Sequence, residues 1–249
     1  MDTFGAMIVI EVPIILVLIR QRNLDRRRLQ QFVASSLSGG ETGRAAVFRL
    51  ASRIFDLPDV PDDPIWASRL FKAFGASPGA VIEAGACCSG KTRLLILSLA
   101  EIGMRAYQIT FYHREGYAQH CLAEVCVDDA RLLLDPTYGV YLTDGDGHGV
   151  SLQDLRRGVQ PVHMPFTTRA DWGYPRDSYY HFDYAATKTA NWTRSVLRRV
   201  AYSILHGASR GAVDNMMIPA WLEWPQNLGL LACMALLSLV AFATACAAY

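Results

Sequence analysis

Two alternating segments separated by only two residues constrain the fold of this chain more than any other feature. Residues 119–127 and 130–135 each have the composition and alternation of a strand, and only Asp128 and Asp129 lie between them. Parallel strands need a crossover of about a dozen residues, whereas antiparallel strands are joined by turns of this length. We therefore expect an antiparallel hairpin here.

The length of the turn also fixes which residues of the hairpin face each other. If Val127 pairs with Ala130, counting back along both strands places Leu122 opposite Asp135. His120 is two residues from Leu122, so it lies on the same face of the sheet and diagonal to Asp135. Diagonal neighbours are within reach of long side chains. The register therefore predicts a contact between the imidazole and the carboxylate.

A helix and a further strand precede the hairpin. Residues 93–102 are strongly apolar and end at Gly103, a favourable residue for closing a helix. Residues 105–112 alternate and indicate a strand. One apolar helix followed by strands with short connections predicts an α+β fold with an antiparallel sheet.

Cys88 lies where this apolar helix begins. The positive end of a helix favours a thiolate over a thiol, and its free N–H groups can receive a developing oxyanion. A thiolate nucleophile needs a base, and the base needs a group that orients it. Cysteines, histidines and Asp-Pro turns are each common as structural residues. Together, in this order, Cys88, His120 and Asp135 predict a nucleophile, a base and an orienting carboxylate.

Residues 84–139 carry a family resemblance. The runs GACCSGKTRLLILSLAEIGMRA, HCLAEVCVDD and LLLDPTYG resemble the core of the transglutaminase-like superfamily. That family shows a Gly-x-Cys helix start, a leucine-rich helix closed by glycine, a His-x-x-x-Glu-Val strand and an Asp-Pro-x-x-Gly close. Gly103 follows Cys88 by fifteen residues, and Asp135 follows His120 by fifteen, as in the family.

The resemblance implies a papain-like core in which the cysteine-bearing helix packs on an antiparallel sheet that carries the histidine and aspartate. It implies a triad of Cys88, His120 and Asp135, a peptide or other amide or acyl substrate, no cofactor and no metal. Known members are peptidases, amidases, protein cross-linkers and inactive relatives, and this chain is similar to membrane-associated members of the bacterial type. Gly85 stands two residues before Cys87 rather than Cys88, but the helix length to Gly103 favours Cys88.

A phosphate-binding motif overlaps the residues that carry the family resemblance. Residues 85–92, GACCSGKT, match the phosphate-binding pattern Gly-x4-Gly-Lys-Thr, with 81–84 as the preceding strand and 132–135 as the acidic strand. Lys91 would then contact phosphate and Thr92 magnesium. The antiparallel hairpin disfavours this nucleotide-binding alternative, because such a sheet is parallel. A catalytically inactive membrane scaffold is a third interpretation.

The C-terminal residues 228–249 contain no charged side chain. This run is long enough to cross a bilayer core of about 30 Å as a helix. Trp221 and Trp224 precede it, where interfacial aromatic residues are enriched. We expect a single C-terminal transmembrane helix.

The N-terminal residues 4–19 are apolar but short, and they contain Glu11 and Pro13. The basic residues follow this run, whereas a secretory signal has them in front, so export is disfavoured. These residues are Arg20, Arg22, Arg26, Arg27 and Arg28. The run either spans the membrane or lies on the membrane or the domain as an amphipathic helix. If the run inserts, the arginines hold its far end in the cytoplasm, and with the arginines inside we expect the catalytic core on the cytoplasmic face.

The overall composition bears on membrane contact, on nucleic-acid partners and on the pairing of the cysteines. Hydrophobic residues make up 51% of the 249, which suggests membrane contact, and the net charge of +1 gives no reason to expect a nucleic-acid partner. The six cysteines follow no disulfide or zinc spacing.

We divide the chain into an N-terminal apolar and basic segment (1–43), a transglutaminase-like core (44–165), an aromatic and basic extension (166–225) and a transmembrane helix (226–249).

Overall fold

The computed structural model describes residues 3–61, 75–113, 115–167, 183–192 and 196–247. The sequence also predicts a helix at 66–74, and these residues lie outside the described ranges. Side chains are described throughout them except at 3–11, 196–198 and 247.

Seven α-helices lie in the described part of the chain. They are α1 (Thr3–Ser36), α2 (Gly43–Phe55), α3 (Pro78–Ala84), α4 (Cys88–Glu101), α5 (Leu152–Arg156), α6 (Val196–Ser209) and α7 (Pro225–Ala247). Two single 3₁₀ turns, Ala212–Asn215 and Ala220–Glu223, lie between α6 and α7.

Within the described ranges, six strands form one sheet, and every pairing in it is antiparallel. The strands are β1 (Ala106–Tyr112), β2 (Ala118–Val127), β3 (Ala130–Asp135), β4 (Val140–Thr143), β5 (Val162–Pro165) and β6 (Asp183–Lys188). Their order across the sheet is β5-β4-β3-β2-β1-β6. The predicted α+β class with an antiparallel sheet is confirmed.

The β2–β3 hairpin has the predicted register. Val127 pairs with Ala130, and the pairing continues to Ala123 and Leu134. Asp128 and Asp129 both have positive φ, 51° and 59°, as the favoured two-residue hairpin turn requires. Aspartate tolerates this left-handed conformation better than most residues do, so the turn sequence itself sets the register.

Helix α4 begins at Cys88, as predicted, and Gly103 follows its end with a φ of 77°. The helix packs on β1 and β2, and its side chains from Leu94 to Leu99 are buried. The opposite face of the sheet forms a second apolar cluster that α5 closes with Leu152 and Leu155. The sheet is therefore covered on both faces, and α4 is held inside the molecule.

Segments outside the predicted core contribute to the sheet and its core. Strand β6 comes from the 166–225 extension and pairs with β1. Helix α1 comes from the 1–43 segment and places Leu29, Phe32 and Val33 in the main apolar cluster.

Helix α7 has the length and apolar composition needed to cross a membrane. Only 6% of its apolar window is buried inside the molecule, so it is not the core helix of a soluble domain.

The carboxylate of Glu124 connects β2 to the start of α5. The side chain is 3% exposed. Its Oε1 accepts the N–H of Leu152 at 2.9 Å, and its Oε2 accepts a hydrogen bond from Arg131 at 3.2 Å. A buried N–H without an acceptor is costly, so this carboxylate has a structural role at the first turn of α5.

We predict that Glu124→Ala lowers the free energy of unfolding by about 2–3 kcal/mol, because the Leu152 N–H loses its acceptor inside the protein. Arg131→Ala is the matched control. Its side chain is 48% exposed, so its loss costs about 1 kcal/mol or less. Urea unfolding of the full chain in detergent micelles measures both. Equal losses for the two variants would contradict the assigned role.

Candidate active site

His120 and Asp135 are in direct contact inside the protein. The His120 Nε2 atom lies 2.6 Å from Asp135 Oδ2. The histidine is 6% exposed and the aspartate 0%. The contact predicted from the hairpin register is therefore a short hydrogen bond, shielded from water.

Asp135 is held in place by the turn that follows β3. Its Oδ1 accepts the N–H groups of Thr137 at 2.8 Å and Tyr138 at 3.2 Å. The backbone carbonyl of Asp135 also accepts the N–H of Gly139 at 3.0 Å. Both carboxylate oxygens are thus occupied, which leaves Oδ2 directed at the imidazole.

Cys88 completes the group of three residues. A side-chain hydrogen bond and a charge interaction with Cys88 are among the causes that raise the pKa of His120, so the cysteine lies beside the imidazole. Because Asp135 engages Nε2, the ring nitrogen that faces the sulfur is Nδ1. Cys88 is partly exposed, while the other two residues are buried. The structure therefore brings all three predicted residues together, and Cys88 is the most exposed of them.

The surroundings of His120 favour its protonated form. Burial lowers the pKa of His120, but the negative charge and hydrogen bond of Asp135, together with the contact to Cys88, outweigh it. The net effect raises the pKa of His120 well above its ordinary value of 6.5. An imidazolium beside a sulfur stabilises negative charge on that sulfur.

The structure distinguishes the two adjacent cysteines. Cys88 is the first residue of α4 and the cysteine that bonds to His120. Cys87 is the residue before the helix, with Sγ 3.6 Å from Ser89 Oγ. The first bond within the helix runs from Lys91 N–H to the Cys87 carbonyl, so the amides of residues 88–90 have no acceptor inside the helix.

Thr92 fixes the start of α4 against β2, the strand that carries His120. Its side chain is fully buried, and Oγ1 donates a hydrogen bond of 3.0 Å to the carbonyl of Cys121. Cys121 directly follows His120, so this bond joins the first turns of α4 to the backbone beside His120.

Lys91 and Arg93 anchor the same part of α4 on other sides. The buried Lys91 ammonium pairs with Asp59 at 2.7 Å and donates to the Phe55 carbonyl at 3.2 Å. The buried Arg93 guanidinium pairs with Glu223 at 3.0 Å. Three consecutive polar side chains thus hold the helix in one position and one rotation.

These contacts do not match a phosphate-binding loop. Lys91 is fully buried and ion-paired, and residues 81–84, required as a strand, belong to helix α3. Gly85 has a φ of 80° and lies so close to Pro58 that an added Cβ would be 2.2 Å from its carbonyl oxygen. The glycine serves this close packing, and the adjoining sheet is antiparallel.

The sequence did not single out Tyr138. Its ring lies 5.1 Å from the His120 ring, tilted by 33°. Burial is the main cause that raises the pKa of the Tyr138 phenol. The aromatic ring shields the His120–Asp135 pair from water. The sequence feature that could have identified Tyr138 is its position within the Asp-Pro-Thr-Tyr-Gly motif.

One cluster of possible metal ligands lies in an exposed turn after β4. The ligand atoms of Asp144, Asp146 and His148 all lie within 4.8 Å of one another. Asp144 Oδ1 accepts the N–H groups of Asp146 and His148, both at 2.9 Å. These backbone hydrogen bonds lower the pKa of Asp144. They are the bonds of a turn, and the turn alone explains why the three side chains lie close together.

We predict that Asp135→Asn weakens the protein most at low pH. A folded-state pKa of His120 raised above 6.5 contributes stability that is fully present below about pH 6.5 and is lost as pH rises through the raised value. The difference in unfolding free energy between wild type and Asp135→Asn should therefore shrink as pH rises.

Urea unfolding in micelles across a series of pH values measures this difference. Asp144→Asn, on the exposed turn, is the control and leaves the contribution of His120 unchanged. A difference between wild type and Asp135→Asn that stays constant or grows with pH would contradict the charged pair.

Comparison of this chain with models of known protein families, with curated proteins and with solved structures finds no match in any of the three.

Proposed function

We propose that this chain is a cysteine-dependent enzyme of the transglutaminase-like, papain-like class that hydrolyses an amide or transfers an acyl group at a membrane. Cys88 is the nucleophile, His120 the acid and base, and Asp135 the group that orients the imidazole. The observation that carries the proposal is the continuous line of contacts from a partly exposed sulfur, through a buried imidazole, to a fully buried carboxylate 2.6 Å away.

The first half of the reaction forms an acyl-enzyme. The Cys88 thiolate attacks the acyl carbon, and a carbon–sulfur bond forms while the carbonyl π-electrons move to oxygen. The backbone N–H groups at the start of α4 stabilise this oxyanion. The carbon–nitrogen bond then breaks, and the His120 imidazolium gives its proton from Nδ1 to the leaving amine.

The second half regenerates the enzyme. Neutral His120 accepts a proton from water or from an amine as that group attacks the thioester carbon. The carbon–sulfur bond breaks, and the products are a carboxylic acid or a new amide together with the Cys88 thiolate beside the imidazolium. Asp135 keeps one ring nitrogen bonded throughout, so Nδ1 faces the reacting atoms in both steps.

The substrate class follows from this chemistry. A thiolate with an acid–base partner acts on peptides and on other amide or acyl compounds, and needs neither a metal nor a cofactor. The arginines in residues 20–28 support a catalytic core on the cytoplasmic face, because positive charge next to membrane helices is usually retained there.

We expect Cys88 to be the most reactive thiol of the chain. At pH 6.5 an ordinary thiol is only about 1% thiolate, and we expect the sulfur beside the His120 imidazole to react with iodoacetamide about tenfold faster than the other thiols. Mass spectrometry after limited labelling identifies the modified residue. His120→Ala should remove this advantage.

Cys87→Ser is the matched control for this experiment. It changes the adjacent thiol, which lies outside the helix, and should leave the labelling of Cys88 fast. Preferential labelling of Cys87, Cys121 or Cys126 in the wild-type protein would contradict the assignment of Cys88 as nucleophile.

We also predict that the chain does not bind magnesium ATP, because Lys91 is buried against Asp59 and Phe55 rather than open to phosphate. Isothermal titration with ATP and magnesium tests this directly. Lys91→Met should lower the thermal stability without changing the titration. Saturable binding that Lys91→Met abolishes would favour the nucleotide alternative over the cysteine enzyme.

A further inference from the structure

Helices α1 and α7 pack against each other as antiparallel neighbours. Leu18 is buried against Gly229, where an added Cβ would lie 3.2 Å from the leucine Cδ1. Further along α1, Asp25 accepts a hydrogen bond of 2.5 Å from Gln226. Higher residue numbers on α1 thus meet lower numbers on α7. The N-terminal part of α1 and the C-terminal part of α7 therefore leave the core in the same direction.

The lengths of the two projecting segments are similar. At 1.5 Å per residue, the stretch of α1 from Leu18 back to Thr3 is about 22 Å long, and the stretch of α7 from Gly229 to Ala247 is about 27 Å long. The hydrocarbon core of a bilayer is about 30 Å thick. Residues 3–19 number 17 and residues 229–247 number 19, and a spanning helix needs about 17–25 residues.

The projecting part of α1 presents apolar side chains to its surroundings. Within 12–19, Leu18 alone is buried, and Leu16 and Val17 are 61% and 58% exposed. The neighbouring α7 is similar, with Leu239 and Phe242 at 68% and 71% exposure. A monomeric soluble protein rarely exposes a continuous apolar surface of this extent. Because this surface continues along α7, the same apolar phase must cover both helices.

The base of the helix pair has the composition of a membrane–water boundary. Arg20 and Arg22 come directly after the apolar run, and the Arg22 guanidinium lies 5.7 Å from the centre of the Trp224 ring. Trp221, just before α7, is 50% exposed. Arginines and an exposed tryptophan at this level mark the depth at which spanning helices enter the headgroups. Trp224, expected in the same interfacial layer, is 5% exposed and packs in the main apolar cluster instead.

We propose that residues 3–19 of α1 cross the bilayer beside α7, so that lipid acyl chains cover both helices and the protein has a two-helix anchor. Both ends of the chain then lie across the membrane from the catalytic core. Pro13 is tolerated in a spanning helix, and Glu11 lies two helical turns before Leu18 in the sequence. The proposal concerns the anchor alone and stands independently of the catalytic assignment.

Topology mapping tests the proposal on the full chain. Short epitope tags before Met1, after Tyr249 and in the exposed turn at Gly145 are probed with protease in sealed vesicles of both orientations. We expect the two terminal tags to be digested in one orientation and the Gly145 tag in the other. A tag before Met1 that is digested together with the Gly145 tag would overturn the proposal.

A cross-linking experiment tests the pairing of the two helices. Leu18→Cys combined with Gly229→Cys should form a disulfide under mild oxidation in membranes, because these positions touch. Val17→Cys with Gly229→Cys is the matched control, since Val17 is 58% exposed, and should not cross-link. Equal cross-linking of both pairs, or of neither, would contradict the two-helix anchor.

Discussion

The hydrogen bond between His120 and Asp135 is the interaction on which the proposed site depends. Both groups are buried, and a charge inside a protein is tolerated only when it is paired and hydrogen-bonded. The pairing is supplied by the β2–β3 register, which the left-handed conformations of Asp128 and Asp129 determine. A slip of one residue in that register would turn the imidazole to the other face of the sheet and leave the carboxylate without its partner.

The second requirement is that α4 arrives at this pair with Cys88 in reach. The consecutive side chains of Lys91, Thr92 and Arg93 are buried, and each bonds to a different part of the chain. The partner of Arg93 is Glu223, which lies just before α7, so the helix that begins at Cys88 is also tied to the start of α7. The glycine–lysine–threonine motif thus has a structural explanation that needs no phosphate.

The sequence predicted the local parts of this structure well. The start of α4, the hairpin and the contact of His120 with Asp135 follow from short-range patterns. Strands β4, β5 and β6 were not predicted, because they are short and are stabilised by pairing with strands distant in the sequence. Asp59 and Glu223 were not recognised as partners for the same reason. The interpretation of 81–84 as a strand overlooked Ser77 and Pro78, which cap and begin helix α3.

The central claim is that Cys88 carries an acyl group with the help of His120. Intact-protein and peptide mass spectrometry after brief exposure to 4-nitrophenyl acetate tests it most directly, because this ester donates an acetyl group to an activated thiolate. We expect one acetyl thioester, located on Cys88, in the wild-type protein and almost none in His120→Ala. Acetylation spread evenly over the cysteines, or located on Cys88 but unchanged in His120→Ala, would contradict the account.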